Sequence, residues 1–289
     1  MAPNFLFLLK ESKRIIKTRS RHFSILFLIF LLPLSVFFQI LIFYSNISQT
    51  QQQQQKQKTI NPLFYVLYFV FVLVFYTCAL SSITYSVYHF FYGRPVKLLP
   101  SIFSSFLPLL VTMLLSFPCS FSLALLIILG FGIVDVTSLG FFVVLPLVPV
   151  VVVMYLKVNW TLVPVIVAVE SRWGLEPFRR SERLMKGMKV VALSHLLISG
   201  FWVGILVRIC SNLMKGVYGI CHGSWANGTV IGASSCLVAT FLLNDIAVST
   251  VLYIYCRANH GEQFGKNYVR LISPDGDVEK ENCGKRKCR

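Results

Sequence analysis

Residues 60–85 read INPLFYVLYFVFVLVFYTCALSSITY. Such an apolar run is long enough to cross a bilayer as a helix, which needs about 20 residues. With no water in the hydrocarbon core, the backbone of the run has to satisfy its own hydrogen bonds, and a helix does so. Comparable runs recur along the chain. They predict an all-α, polytopic membrane bundle of about six spans: 23–44, 60–85, 103–128, 139–156, 190–213 and 229–256. Pro33 is a tolerated kink in the first of these. Residues 257–289 read as a hydrophilic tail.

Two stretches resist simple division. From Ser101 to Val134 no residue is charged. As a helix this is on the order of 50 Å, against a core of roughly 30 Å. Pro108, Pro118, Gly130 and Gly132 interrupt it, so one tilted span (103–128) and a re-entrant hairpin both fit. Residues 160–169 are apolar but too short to cross alone. They fit an interfacial segment anchored by Trp160, or a half-helix.

Composition agrees. Of 289 residues, 56% are apolar and 13% charged, with mean hydropathy +0.71. Soluble domains carry about 25% charge, so no sizeable soluble domain is expected. The net charge of +16 sits in blocks between apolar runs: the N-terminus, the 86–100 loop with Arg94 and Lys97, residues 170–189, and the tail. The intervening loops hold few cations. An even span count with this bias places both termini in the cytosol. It makes the anionic cytosolic leaflet and other membrane lipids the expected partners, rather than nucleic acid. Membrane-protein partners are a further expectation. The first 22 residues are not a cleavable signal peptide, because the apolar part precedes the basic part.

Eight cysteines show no CxxC or metal spacing. Cys78, Cys119, Cys236 and Cys256 lie in apolar runs as small hydrophobes. Cys210 and Cys221 are a candidate lumenal pair. Cys283 and Cys288 fall in a reducing compartment, where no disulfide is expected.

Two segments read as amphipathic interfacial helices. In residues 5–22, Phe5, Leu8, Leu9, Ser12, Ile15 and Ile16 follow a helical period. Lys10, Lys13, Arg14, Lys17 and Arg21 lie elsewhere around it. That suits a helix in the headgroup region, or a basic flank that only sets topology. In residues 175–189, Phe178, Ser181, Leu184, Met185 and Met188 fall within roughly 120° of the wheel, with Arg179, Arg183 and Lys186 opposite. Glu176 is placed to pair with Arg179 or Arg180, and Glu182 with Lys186. Arg179, Arg180, Arg183 and Lys186 are the candidate contacts to lipid headgroups or a partner; the bland alternative is a solvated helix that only sets topology.

The stretch 160–187 has a distinctive pattern: Trp160-x-Leu162-x-Pro164, an apolar run to Glu170, Gly174-Leu175, Arg179-Arg180-Ser181, Leu184 and Lys186-Gly187. It resembles a family of uncharacterised plant multi-span membrane proteins of similar length. More faintly, it resembles the membrane domain attached to some bacterial glycerophosphodiester phosphodiesterases. The plant resemblance implies a multi-pass fold over most of the chain. The bacterial one transfers no activity, since catalysis there belongs to a separate metal-dependent barrel that this chain lacks. Pro177-Phe178 stands where the bacterial pattern favours a small residue, which argues against one unbroken helix from Glu170 into Arg179.

Asp245, beside Asn244, lies near the middle of the last span. A charge there calls for a partner and marks either an inter-helix contact or a pathway. Arg208 and His195 are the candidate partners, each about two helical turns away in depth. Lys285 and Lys287, fifth and third from the end, match a dilysine retrieval signal for the endoplasmic reticulum, a receptor-read address. The sequons at Asn46, Asn159 and Asn227 are cytosolic or abut span ends, so glycosylation is not expected. No GxSxG, HExxH or P-loop appears, and the histidines are scattered. No catalytic residue, metal or cofactor is assigned. The leading expectation is a non-enzymatic multi-pass endomembrane protein acting as an organiser, adaptor or lipid-associated component. The alternatives are a transporter or channel using Asp245, and an intramembrane lipid-modifying enzyme.

Overall fold

The computed structural model describes residues 5–41, 62–93, 105–116, 141–220 and 224–261. Among these there is no strand. The helices are α1 (Phe5–Thr18), α2 (Ser20–Leu41), α3 (Pro62–Phe91), α4 (Ser105–Ser116), α5 (Phe141–Trp160), α6 (Val163–Glu170), α7 (Glu176–Leu184), α8 (Lys189–Ile220) and α9 (Ser224–Asn259). Five helical stretches are long and apolar enough to cross a membrane: Ser20–Leu41, Val66–Phe91, Val150–Glu170, Lys189–Leu213 and Gly228–Asn259. The stretch expected to span at 103–128 is a short apolar helix as far as Ser116. Its remainder lies outside the described residues, and with it the choice between span and hairpin. The 51–59 loop, Arg94, Lys97, Cys221 and the tail with Lys285 and Lys287 also lie outside them.

In α2 the chain forms a π turn over Phe27–Leu31, closed by the Leu32 N–H on the Phe27 carbonyl. Pro33 follows directly. A proline ring clashes with the carbonyl four residues back, here Ile29 inside the wider turn, which makes the room. In α3 the helix passes the expected end at residue 85 and runs to Phe91. Two of its buried hydroxyls bond back along the helix, Ser82 Oγ to the Cys78 carbonyl and Ser86 Oγ to the Ser82 carbonyl. They carry their own polarity and let the helix continue in the core.

α9 is the hub, packing on α3 and α8 and along α1. Tyr253, Leu252, Ile83, Leu162, Ile166 and Met185 are fully buried around it. α6 sits between α3 and α7. Val163, Val165, Ile166, Val167 and Ala168 are buried, so this short helix is core and not an interfacial segment. α8 turns Val190, Phe201, Trp202 and Val207 outward, as a helix facing lipid tails does.

α1 lays part of its apolar side on protein: Leu8 and Ser12 are buried, Phe5 stacks on His195 at 5.8 Å, and Phe7 meets Tyr255 edge-on at 5.8 Å. Lys10, Lys13, Arg14, Lys17 and Arg21 remain exposed.

Candidate functional site

The described parts of the basic segments converge at one end of the bundle. There α1 and the start of α2 meet the end of α3, with His22 Nε2 3.0 Å from Ser86 Oγ and its ring edge-on to Phe90. The same end holds α6, α7, the start of α8 and the end of α9.

Glu170 is the centre of this end. It is the last residue of α6, and Ser171 stops the helix in the left-handed conformation (φ 51°), its N–H on the Val167 carbonyl. The chain turns through Gly174 (φ 79°) and restarts at Glu176 with Pro177 in the first turn, where a proline's missing donor costs nothing. The helix break expected at Pro177-Phe178 therefore begins six residues earlier, at Ser171. The turn brings Arg180 Nη2 to Glu170 Oε1 at 3.3 Å and Arg172 Nε to Oε2 at 3.2 Å. From α9, the Tyr253 hydroxyl donates to Glu170 Oε1 at 2.8 Å. Arg257 Nη1 in turn donates to Tyr253 (3.4 Å) and to Tyr88 of α3 (3.3 Å). One carboxylate thus ties α6, α7 and α9, and Arg257 extends the network to α3.

The motif residues close on each other. Trp160 meets Phe178 edge-on at 5.3 Å. Ser181 Oγ donates to the Asn159 carbonyl, and Asn159 is itself buried. His260 Nε2 reaches the Leu184 carbonyl at 3.2 Å. Of the wheel positions, Ser181, Leu184, Met185 and Met188 are buried and Phe178 half-buried, while Arg179, Arg183 and Lys186 are exposed. Arg180 departs from the other three: only 17% of its side chain is exposed, and it faces the bundle. Glu176 pairs with Arg172, not with Arg179 or Arg180.

Sequence reasoning passed over Tyr88, Tyr253 and Arg257 and did not make Glu170 a site. Two signals were there: Glu170 ends an apolar run just before the arginines, and Tyr253 and Arg257 are one helical turn apart.

The intramembrane candidates resolve into one pair. His195 Nε2 lies 3.6 Å from Asp245 Oδ1 and 3.2 Å from Ser249 Oγ. The expected two-turn difference in depth is absent, because antiparallel α8 and α9 are offset so that these residues face each other. Arg208 is exposed and makes no pair with Asp245. Asn244 Nδ2 bonds back to the Thr240 carbonyl. Cys210 is a free thiol that accepts a hydrogen bond from Gln39 Nε2 at 3.3 Å, rather than half of a disulfide. Among the described residues, no three His, Cys, Asp or Glu side chains gather as a metal site.

These features define an all-helical protein with five membrane-length apolar helices and an ion-paired cluster at its basic end. The chain belongs to the family described as Domain of unknown function (DUF8558), whose model matches residues 4–270. Comparison with curated proteins and with solved structures gave no match.

Proposed function

We propose that the chain is a non-enzymatic multi-pass endomembrane protein, an organiser or lipid-associated component whose contact face is α7. The carrying observation is a division of labour along one short helix. Arg180 turns inward to Glu170 and anchors α7, while Arg179, Arg183 and Lys186 stay exposed on the outer side. Cations held at the membrane border on a fixed helix suit the phosphates of an anionic leaflet. The charge bias favours the cytosolic leaflet, the tail signal favours the endoplasmic reticulum, and the 160–187 pattern favours kinship with the plant proteins.

The test compares the full chain in nanodiscs of neutral and of anionic phospholipid. Wild type gains thermal stability in the anionic discs, since a ligand of the folded state stabilises it. The variant Arg179→Glu/Arg183→Glu/Lys186→Glu loses most of that gain. An unchanged gain in the variant counts against the reading. A transporter is the second reading, supported by the His195–Asp245 pair inside the bundle.

A further inference from the structure

Where α5 and α8 pack together at the basic end, one tyrosine gathers two donors. Lys189 opens α8, and its ammonium sits 5.0 Å over the Tyr155 ring of α5. The same Nζ donates to the Tyr155 hydroxyl at 3.5 Å. From the inner side Asn159 hydrogen-bonds that hydroxyl too. Asn159 is 5% exposed and its Oδ1 has no partner, so its amide N–H is the group that donates. A phenolic oxygen that accepts from both keeps its own proton to give. Tyr155 is 53% exposed, so that proton is offered outward, beside the remaining N–H groups of Lys189. The carboxylate that acts on Tyr155 across space is Glu182, exposed on α7.

We infer that this seam binds one anionic phospholipid, its phosphodiester held by the Tyr155 hydroxyl and the Lys189 ammonium. Converging donors with a positive charge select phosphate oxygens, which only accept. The lysine also selects against choline or ethanolamine heads, which bring a second cation to it. Glu182 disfavours the doubly charged head of a phosphate monoester. The rest of the seam favours a lipid over free phosphate. α5 runs towards the basic end and α8 away from it. Val151 therefore lies one turn deeper than Tyr155, and Leu193 and Leu197 one and two turns deeper than Lys189. All three are exposed, which leaves an apolar track for an acyl chain below the phosphate. The inference rests on the α7 reading in one respect, that the basic end meets an anionic leaflet. It differs in seating a single lipid on residues outside the α7 cations.

Native mass spectrometry of the full chain, released from detergent with phosphatidylglycerol or phosphatidylcholine, reads the first lipid retained. Wild type is expected to hold one phosphatidylglycerol about ten-fold more tightly than phosphatidylcholine, the worth of a charge-assisted contact. Tyr155→Phe keeps the ring under Lys189 and should weaken the phosphatidylglycerol adduct about five-fold, the worth of one hydrogen bond. Lys189→Gln should bring the two lipids level, and Glu182→Gln should tighten phosphatidylglycerol. The neutral α7 variant Arg179→Gln/Arg183→Gln/Lys186→Gln should keep the adduct. If Lys189→Gln does not fold, Tyr155→Phe decides the matter. An adduct that Tyr155→Phe leaves unchanged overturns the proposal, as does its displacement by inorganic phosphate. Loss of the adduct in the neutral α7 variant returns the lipid to α7 and overturns this inference alone. A Tyr155-dependent adduct in a protein that gains no stability in anionic discs upholds this site and removes the α7 reading.

Discussion

The Tyr253 hydroxyl of α9 donates to the Glu170 carboxylate of α6 at 2.8 Å, across 83 positions of sequence. Glu170 also holds Arg180, and Tyr253 accepts from Arg257. The carboxylate is 11% exposed and Arg180 17%, so a charge removed here leaves others stranded in a poorly solvated place.

Glu170→Gln is expected to lower stability by about 3 kcal/mol, the lower part of the range for breaking a buried pair. The pair variant Glu170→Gln/Arg180→Gln should be less damaged than the sum of the two single changes, because its second step removes the stranded cation. Thermal unfolding in detergent, followed by size-exclusion fluorescence, measures both. Strict additivity would mean that the two side chains are not coupled.

Tyr253→Phe keeps the ring in the core and deletes only the hydroxyl. It removes the donor to Glu170 and an acceptor for Arg257, so a loss of about 1–2 kcal/mol is expected. The same melt checks it. A loss below a few tenths would show that water replaces the hydroxyl.

Ser171 ends α6 with φ 51°, a conformation that costs a side chain about 1 kcal/mol or more. Ser171→Gly should therefore raise the melting temperature slightly, and Ser171→Val should lower it. Gly187 has φ 91°, with Asn259 Nδ2 3.5 Å from where a Cβ would sit, so Gly187→Val should also destabilise. A stabilising Ser171→Val would mean that α6 runs on past Glu170.

Asp245→Asn is the discriminating change inside the bundle. Under the α7 reading the variant folds, localises as wild type and keeps the anionic-lipid response, because Asn keeps the shape of Asp and His195 Nε2 already has Ser249 Oγ at 3.2 Å. A reconstituted ion or proton flux that wild type supports and the variant lacks would move the assignment to transport. In the same cells, Lys285→Ser/Lys287→Ser should release a fluorescent fusion to later compartments. An unmoved fusion would discard the retrieval signal.

Much of this architecture was legible because its cause is local. A run of apolar residues needs only its own backbone to become a helix, and the sides of α1 and α7 follow from a 3.6-residue period. The partner of Asp245 was legible as a short list, since a charge in a span restricts its neighbours to polar groups. The choice within the list was not. It depends on the offset between α8 and α9, which packing sets and no single helix encodes. The seat of α1 was hidden for the same reason: an apolar stripe fits lipid or protein equally well, and the difference lies on α9. Arg180 shows the limit of a helical wheel. The wheel gives its bearing relative to Arg179 and Arg183, but the turn at Ser171 carries Glu170 to that side.

α1 precedes the other described helices in the chain, and its resting place on Tyr255 and His195 is built from the last two described, α9 and α8. Its apolar stripe therefore has no home until α9 has been made. A chain that stops before α9 leaves Phe5, Phe7 and Leu8 uncovered, a visible mark by which quality control can tell an unfinished molecule from a complete one.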